Sequence, residues 1–350
     1  MIKTVITPTP DMSRAKWCHA TRRIAQDHVF GFETHPEQIN AGDLLLVEVT
    51  KISQHRRIQL RDGRFSRLFT GDMIVLAAGA RFATDQFIGH VGVRSDRTLD
   101  LLAGGGVAGV EEARHGAVKP PTTLCLHGRL LGADGAVLNL KDEALAGGAT
   151  DLPEAVFTVL GTGMNAGKTD AVAGLVNGLT RLGLRVGAVK ATGTAAFGDT
   201  HLYEAAGAQT VLDFTDCGMA STYKQPIDRI ETSITRLLAE TARRGCEVAV
   251  VEIADGISQV ETAELLARPA LARMTDGWLL AATDELTAEV ALARLASRGI
   301  APLALSGLMT RSPVADDLSF GQLPILDRGE LADPATASAF LQMLRQETAA

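Results

Sequence analysis

Residues Thr158–Asp170 read TVLGTGMNAGKTD: a short apolar run, a glycine-rich turn, and the start of a helical pattern that continues as KTDAVAGLVNGLTRLG to Gly183. That succession decides the fold. Gly161, Gly163 and Gly167 let the backbone wrap closely around an anion. The amides from Asn165 to Thr169 are expected to point at its oxygens, with the positive end of the helix behind them. Lys168 then stands where an ammonium meets β- and γ-phosphates, and the Thr169 hydroxyl where Mg²⁺ is bound. The expected nucleotide contacts are Thr162, Gly163, Asn165, Ala166, Gly167, Lys168, Thr169 and Asp170. The general pattern has glycine six residues before the lysine, and this chain has Thr162 there.

Downstream, strand and helix patterns alternate. AVFTVLG, LRVGAVKA, EVAVVEIAD, GWLLAAT and APLALSG read as strands. KTDAVAGLVNGLTRLG, HLYEAAGA, IDRIETSITRLLAETARRG, ETAELLA, ELTAEVALARLASRG and ATASAFLQMLRQ read as helices. Apolar strands that return through amphipathic helices require a mainly parallel sheet covered on both faces, with ligands at the carboxyl ends of the strands. Two further side chains end such strands. Glu252 closes VAVVE and Lys190 closes LRVGAVK. A carboxylate at a buried strand tip needs a cation, either Mg²⁺ or a lysine, so a salt bridge stands as the alternative for both residues. Asp255, Asp213 and Asp216 are weaker candidates, because loop aspartates commonly cap helices or make turns. Tyr203 and Tyr223 lie in segments expected to reach the same cleft.

Upstream the pattern is different. SRAKWCHATRRIAQDH reads as a short helix followed by a polar linker. From Asp43 come DLLLVEVT, HRRIQL, the turn Arg61–Gly63, RFSRLF and MIVLA; later TTLCLHGRLL and AVLNL flank the turn Ala133–Gly135. These are strand and hairpin signals. LLAGGGVAG, residues 101–109, lacks a helical pattern behind it and reads as a flexible loop rather than a phosphate site. The expected architecture is therefore α/β. Residues 1–142 form a β-rich, barrel-like domain with a short leading helix, 143–154 (EALAGGATDLPE) a linker, and 155–350 a doubly wound P-loop domain with a mainly parallel sheet.

Composition narrows the partners. With 350 residues and 46% hydrophobic content the chain can bury two cores. Its net charge of −7 and the lack of a long Lys/Arg block argue against nucleic acid as a partner. No stretch approaches the roughly 18 uninterrupted apolar residues of a membrane span, and the start of the chain has no apolar signal region. A cytoplasmic protein without a membrane partner is expected. Cys18, Cys125, Cys217 and Cys246 show no metal-ligand or disulfide spacing and read as reduced, mostly buried thiols.

The phosphate loop, with Thr162 after Gly161, resembles that of dethiobiotin synthetase and its relatives, within the P-loop class that also holds MinD and the signal-recognition GTPases. The resemblance extends over residues 157–345. LRVGAVKATGT supplies Lys190 and, where the family has a Thr/Ser-Gly pair, Thr192 and Gly193. AFGDTHLYEA places Asp199 at a family Mg²⁺ ligand, and VAVVEIADG places Glu252 at the metal-binding glutamate. LALSGLMTRSP sits where the family has its nucleotide-base loop, with Ser306 or Gly307 in place of the Asn. The resemblance implies Lys168 and Lys190 as catalytic residues, Thr169, Asp199 and Glu252 as metal ligands, Thr192 and Gly193 at the substrate, and Ser306 and Gly307 at the base. ATP (or GTP) and Mg²⁺ would be the cofactors, a small molecule the substrate, and a homodimer the assembly.

What this implies first is transfer of the γ-phosphoryl group to a carboxylate- or carbamate-like oxygen. The substrate should differ from that of dethiobiotin synthetase: Gly163 replaces the acidic residue of its loop, and the β-rich domain is foreign to it. Two other readings remain. One is a nucleotide-dependent switch resembling the GTP-binding adaptor of molybdenum-cofactor biosynthesis, and the other a scaffold with a degenerate nucleotide site.

Overall fold

The computed structural model describes residues 6–7, 12–148, 151–312 and 319–349. Ala149 and Thr150 of the expected linker, and Pro313 of the expected base loop, lie outside them. The chain divides into two compact units. One runs to Leu145 and also takes in Thr194–Phe197 and Phe214–Lys224; the other comprises Ala146–Gly193, Gly198–Asp213 and the chain from Gln225 onward.

The first unit is built from β1 (Ile6–Thr7), β2 (Lys16–Trp17), β3 (Gly31–Thr34), β4 (Leu44–Lys51), β5 (Arg57–Gln59) and β6 (Phe65–Arg67). It continues with β7 (Met73–Ala78), β8 (Arg81–Phe82), β9 (Phe87–His90), β10 (Thr98–Ala103), β11 (Val107–Arg114) and β12 (Thr122–Leu131). Strands β4, β7, β11, β10 and β12 pair in that order and β12 returns to β4, which closes a five-stranded barrel. Only the β7–β11 pair in this ring is parallel. Period-two alternation sends successive residues to opposite faces, and both faces of β4 are buried, so Leu44–Val47 is apolar without a break. Leu45, Val47 and Val49 join Ile74, Leu76, Leu99, Leu101, Leu124 and Leu126 in one core. Leu44, Leu46, Val75 and Val107 face a second core with Trp17, Ile24 and Phe32, and there Ala195 and Ala220 join them.

Three expectations for this half are corrected. The run after Ser13 forms no α-helix; it gives strand β2 and two single 3₁₀ turns, His19–Thr21 and Gln26–His28, because Trp17 pairs with Val75 on β7. The glycine run at 104–106 is the tight connection between β10 and β11, and Gly106 adopts φ 99°. AVLNL contributes no strand but two isolated bridges, Leu131–Val137 and Asp43–Asn139, before a 3₁₀ turn at Leu140–Glu143. All four cysteines are free thiols; Cys18, Cys217 and Cys246 are buried.

The second unit carries β13 (Ala155–Gly161), β14 (Val186–Lys190), β15 (Thr210–Asp213), β16 (Val248–Glu252), β17 (Gly277–Ala281) and β18 (Pro302–Ser306). They form one sheet, wholly parallel, in the order β15-β14-β16-β13-β17-β18. Its helices are α1 (Lys168–Arg181), α2 (Gly198–Ala205), α3 (Ile227–Arg243), α4 (Val260–Leu266), α5 (Pro269–Arg273), α6 (Glu285–Ala296), α7 (Arg328–Leu331) and α8 (Pro334–Ala349). Strand order turns at β13, so the carboxyl end of β13 is the switch point where ligands of such sheets collect. Two points are not legible in the sequence. TVLD forms strand β15, too short to display a period. Lys190 does not end a neighbour of the phosphate-loop strand, because β16 lies between β14 and β13. Among the described residues no helix is long and apolar enough to cross a membrane.

Two tests follow from the β unit. Ala195 and Ala220 are 0% and 4% exposed within its second core, so a chain of residues 146–350 loses their packing partners. Limited proteolysis of that fragment is expected to cut within 194–197 or 214–224, sites the full chain protects; equal resistance would show that these segments do not need the barrel. His55 donates Nδ1–H to the carbonyl of Leu101 at 2.9 Å, and burial, aided by the charge of Arg81, lowers its pKa from 6.5 to about 4. The neutral imidazole therefore stabilises the fold above pH 6.5, and that contribution drains away as pH falls toward 4. Denaturant unfolding across this window should show a loss of about 3 kcal/mol that His55→Gln lacks.

Candidate functional site

Strand β13 delivers Gly161 to the carboxyl edge of the sheet, and residues 162–167 return the chain into α1. Asn165 (φ 61°) and Gly167 (φ 97°) take left-handed backbone, the alternation that turns successive amides to one side of a loop. Lys168, 6% exposed, donates Nζ–H to the carbonyl of Gly163 at 2.8 Å and to that of Asp255. Burial lowers its pKa below the ordinary lysine value; the carboxylates of Glu252 and Asp255 oppose that shift and Lys190 reinforces it.

Backbone from three other strand ends clamps the loop. Thr162 N–H donates to Ala281 O at 2.9 Å, and Ile257 N–H to Gly161 O at 2.9 Å. Leu308 N–H reaches Ala166 O at 2.9 Å. Two glycines permit this approach. A Cβ on Gly256 would stand 2.6 Å from Gly163 Cα, and one on Gly307 2.2 Å from Ala166 O. Neither space admits a side chain.

Beside the loop lies a chain of charged and hydroxyl groups from four elements, β16, β14, α2 and α1. Register sets Glu252 opposite both Val159 of β13 and Lys190 of β14. Asp199, in the first turn of α2, accepts from Thr169 Oγ1 at 3.2 Å and forms an ion pair with Lys190. Tyr203, one turn further along α2, donates its hydroxyl to Glu252 and also hydrogen-bonds the Thr169 side chain. Burial first, and then the Glu252 charge, push its phenol well above the usual tyrosine range. Among the described residues no cluster of three or more His, Cys, Asp or Glu side chains could hold a metal alone. Mg²⁺ needs less: it is commonly held by one or two carboxylates with phosphate oxygens and water. Thr169 and Asp199 together offer hard oxygen donors of that kind, with Glu252 linked to them through Tyr203.

Other expected residues are placed as follows. Thr192 accepts from Ala254 N–H at 2.7 Å and donates to Ala254 O at 2.6 Å, which ties the end of β14 to the loop after β16; Gly193 follows at φ 131°. Ser306 is buried at the end of β18, and its carbonyl accepts from Ala282 N–H. Asp170 pairs with Arg311 at 2.8 Å and Arg328 at 3.3 Å. Asp213 ends β15 opposite Lys190. Asp216 and Tyr223 belong to the β unit instead, where Asp216 pairs with Arg22 and Tyr223 packs on Phe82. The sequence reading missed Gly256 and the Tyr203–Glu252 bond; a glycine four residues past a strand-end glutamate was the available sign of close backbone approach.

No family model matches the chain, and no curated protein does. Solved structures of similar shape include the signal recognition particle receptor FtsY from Elizabethkingia anophelis, at 16% identity over 56% of this chain and 68% of that one, with TM-score 0.33. Chloroplast FtsY from Physcomitrella patens gives 18% identity, 59% and 70% coverage and TM-score 0.36. The 54 kDa signal recognition particle protein from Aeropyrum pernix K1, in complex with GDP, gives 17%, 56% and 50%, and 0.35. Identity and TM-score are both too low for a ligand or partner of those proteins to be carried to this chain.

The Tyr203–Glu252 bond is testable by itself. Tyr203→Phe removes the donor from a carboxylate only 2% exposed, so unfolding free energy should fall by about 1–3 kcal/mol. In the background of Glu252→Gln the same change should cost clearly less, since the buried charge is gone; equal costs in both backgrounds would remove the coupling.

Proposed function

We propose that the α/β unit binds a nucleoside triphosphate with Mg²⁺ and transfers its γ-phosphoryl group to a carboxylate- or carbamate-like oxygen of a small molecule. The observation that carries this reading is a clamped phosphate loop holding the buried Lys168, beside which a second buried lysine, Lys190, pairs with the Asp199 that accepts from Thr169. Mg²⁺, when bound, would neutralise charge on the β- and γ-phosphates. Thr169 and Asp199 would hold it, with Glu252 behind them.

The remaining work falls to the protein. In this reading loop amides and Lys168 fix the phosphates and Lys190, paired with Asp199, serves the transferring group, so catalysis is mainly positioning and charge compensation. In the proposed step the acceptor oxygen attacks the γ-phosphorus. The bond to the β–γ bridging oxygen breaks, and the nucleoside diphosphate leaves with that electron pair. ATP is the proposed nucleotide and GTP the alternative; Ser306 and Gly307, in place of the family's Asn, do not choose between the bases. The same reading makes the protein a cytoplasmic homodimer acting on a small molecule, with neither nucleic acid nor membrane as partner. The chemistry is that of the dethiobiotin synthetase-like branch, on a different acceptor.

A second reading, a nucleotide-dependent switch, has one observation in its favour: residues 194–197, which join Lys190 to Asp199 along the chain, belong to the β unit. A screen of carboxylates and amines for stimulated ADP or GDP release separates the two. Stimulation by a small molecule supports transfer, whereas release that responds only to a protein partner supports the switch. Lys168→Ala should lower turnover on the order of 100-fold or more without altering the circular dichroism spectrum, and wild-type turnover would end the phosphate-loop assignment. Glu252→Gln should weaken Mg²⁺-dependent activity far more than metal-free nucleotide binding measured by calorimetry. Equal losses would make Glu252 a structural partner of Tyr203 alone.

A further inference from the structure

Beside the phosphate loop the α/β unit has a recess of about 310 Å³ that the nucleotide reading leaves unassigned. Thr162, Ile257, Ser258, Leu286, Val290 and Arg294 line it. Its two ends differ chemically. At one end stands Thr162, whose Oγ1 accepts from Thr283 N–H at 3.4 Å; Thr283 in turn hydrogen-bonds Thr287 in the first turn of α6. At the other end Arg294 donates to Ser258 Oγ. Thr287 and Arg294 lie seven residues apart on nearly one face of α6, which separates the ends by about 10 Å. Between them the lining is aliphatic, and Leu286 and Val290, an i, i+4 pair, are 73% and 55% exposed.

We propose that this recess seats the acceptor, and that the acceptor is an elongated dicarboxylic acid with a hydrocarbon middle. One carboxylate pairs with Arg294, the methylenes lie over Leu286 and Val290, and the second carboxylate reaches the loop at Thr162. This rests on the phosphoryl-transfer reading and names its substrate class. Three observations support it. Among the described residues no carboxylate pairs with Arg294, and one hydrogen bond to Ser258 leaves most of its planar fork for an anion. The walls are fixed before any ligand arrives, since Ile257 is bonded to Gly161, Gly256 is packed on Gly163, and Arg294 ties α6 to Ser258. The reacting end adjoins Gly163, the residue whose carbonyl holds the Lys168 ammonium. The volume sits at the lower edge of ligand pockets, roughly 300–1,000 Å³, which suits a small molecule rather than a peptide.

The test uses the full chain and a homologous series of α,ω-dicarboxylates from succinate to sebacate, with octanoate as a one-ended control. Binding is read by calorimetry in the presence and absence of a non-hydrolysable nucleotide, and turnover by diphosphate release. Affinity should peak at one chain length and be weaker for octanoate. Arg294→Gln should weaken the best dicarboxylate by about 10- to 100-fold, and Val290→Trp, which fills the recess, should do the same, with nucleotide affinity unchanged in both. The proposal is overturned if the wild-type chain binds nucleotide but no dicarboxylate, or if both variants bind dicarboxylates as well as the wild type. It is also overturned if the variants change only self-association, which would make the Leu286–Val290 face a contact between copies. Dicarboxylate binding that obeys both variants in a chain that binds no nucleotide would keep the recess and sink the phosphoryl-transfer reading instead.

Discussion

A buried ammonium sets the terms for the α/β unit. Lys168 opens α1 almost out of contact with water, and a charge there is costly unless oxygen surrounds it. The oxygens come from backbone, Gly163 within the loop and Asp255 after β16, and the carboxylates of Glu252 and Asp255 supply the nearby negative charge. To bring those carbonyls in, β16 must run beside β13, and the chain after it must cross the loop at van der Waals distance, which Gly256 alone permits. Strand order, glycine placement and the strand-end carboxylate thus answer one electrostatic demand.

The β unit solves a different problem. A five-stranded ring leaves its strands with two faces to cover, and β4 is apolar on both. One face is filled mainly by the ring strands with Cys18, Ile39, Ile58 and Leu68, whereas the other needs Trp17, Ile24 and Phe32 and two short segments drawn from much later in the chain. Those segments flank α2, the helix that carries Asp199 and Tyr203.

Local pattern made much of this readable. The strand, turn and helix around Lys168 follow from consecutive residues, and so do most later elements, because each is long enough to show its period. Glu252 and Lys190 were visible as charges at the ends of apolar runs. What stayed hidden depends on partners distant in sequence. β15 is four residues long and exists because Lys190 and its neighbours pair with it. The run after Ser13 is amphipathic enough for a helix, yet β7 claims Trp17 for a strand. The bond between Tyr203 and Glu252 spans 49 residues, and nothing local to either one announces it. Tyr223 and Asp216 follow β15 in the chain but fold with the barrel, a choice made by Ala220 and its core rather than by the residues themselves.

The interleaving also bears on how the chain is made. A β unit of contiguous sequence could close as soon as its last strand left the ribosome. Here β12 ends at Leu131, while the second core still awaits Ala195 and Ala220. At about 5–20 residues per second, synthesis of the missing stretch takes on the order of ten seconds. During that interval the apolar face of that core remains open to water and to other nascent chains. The gap closes only after β13, α1, β14, α2 and β15 have been made, so the α/β half is already under construction when the first half is finished.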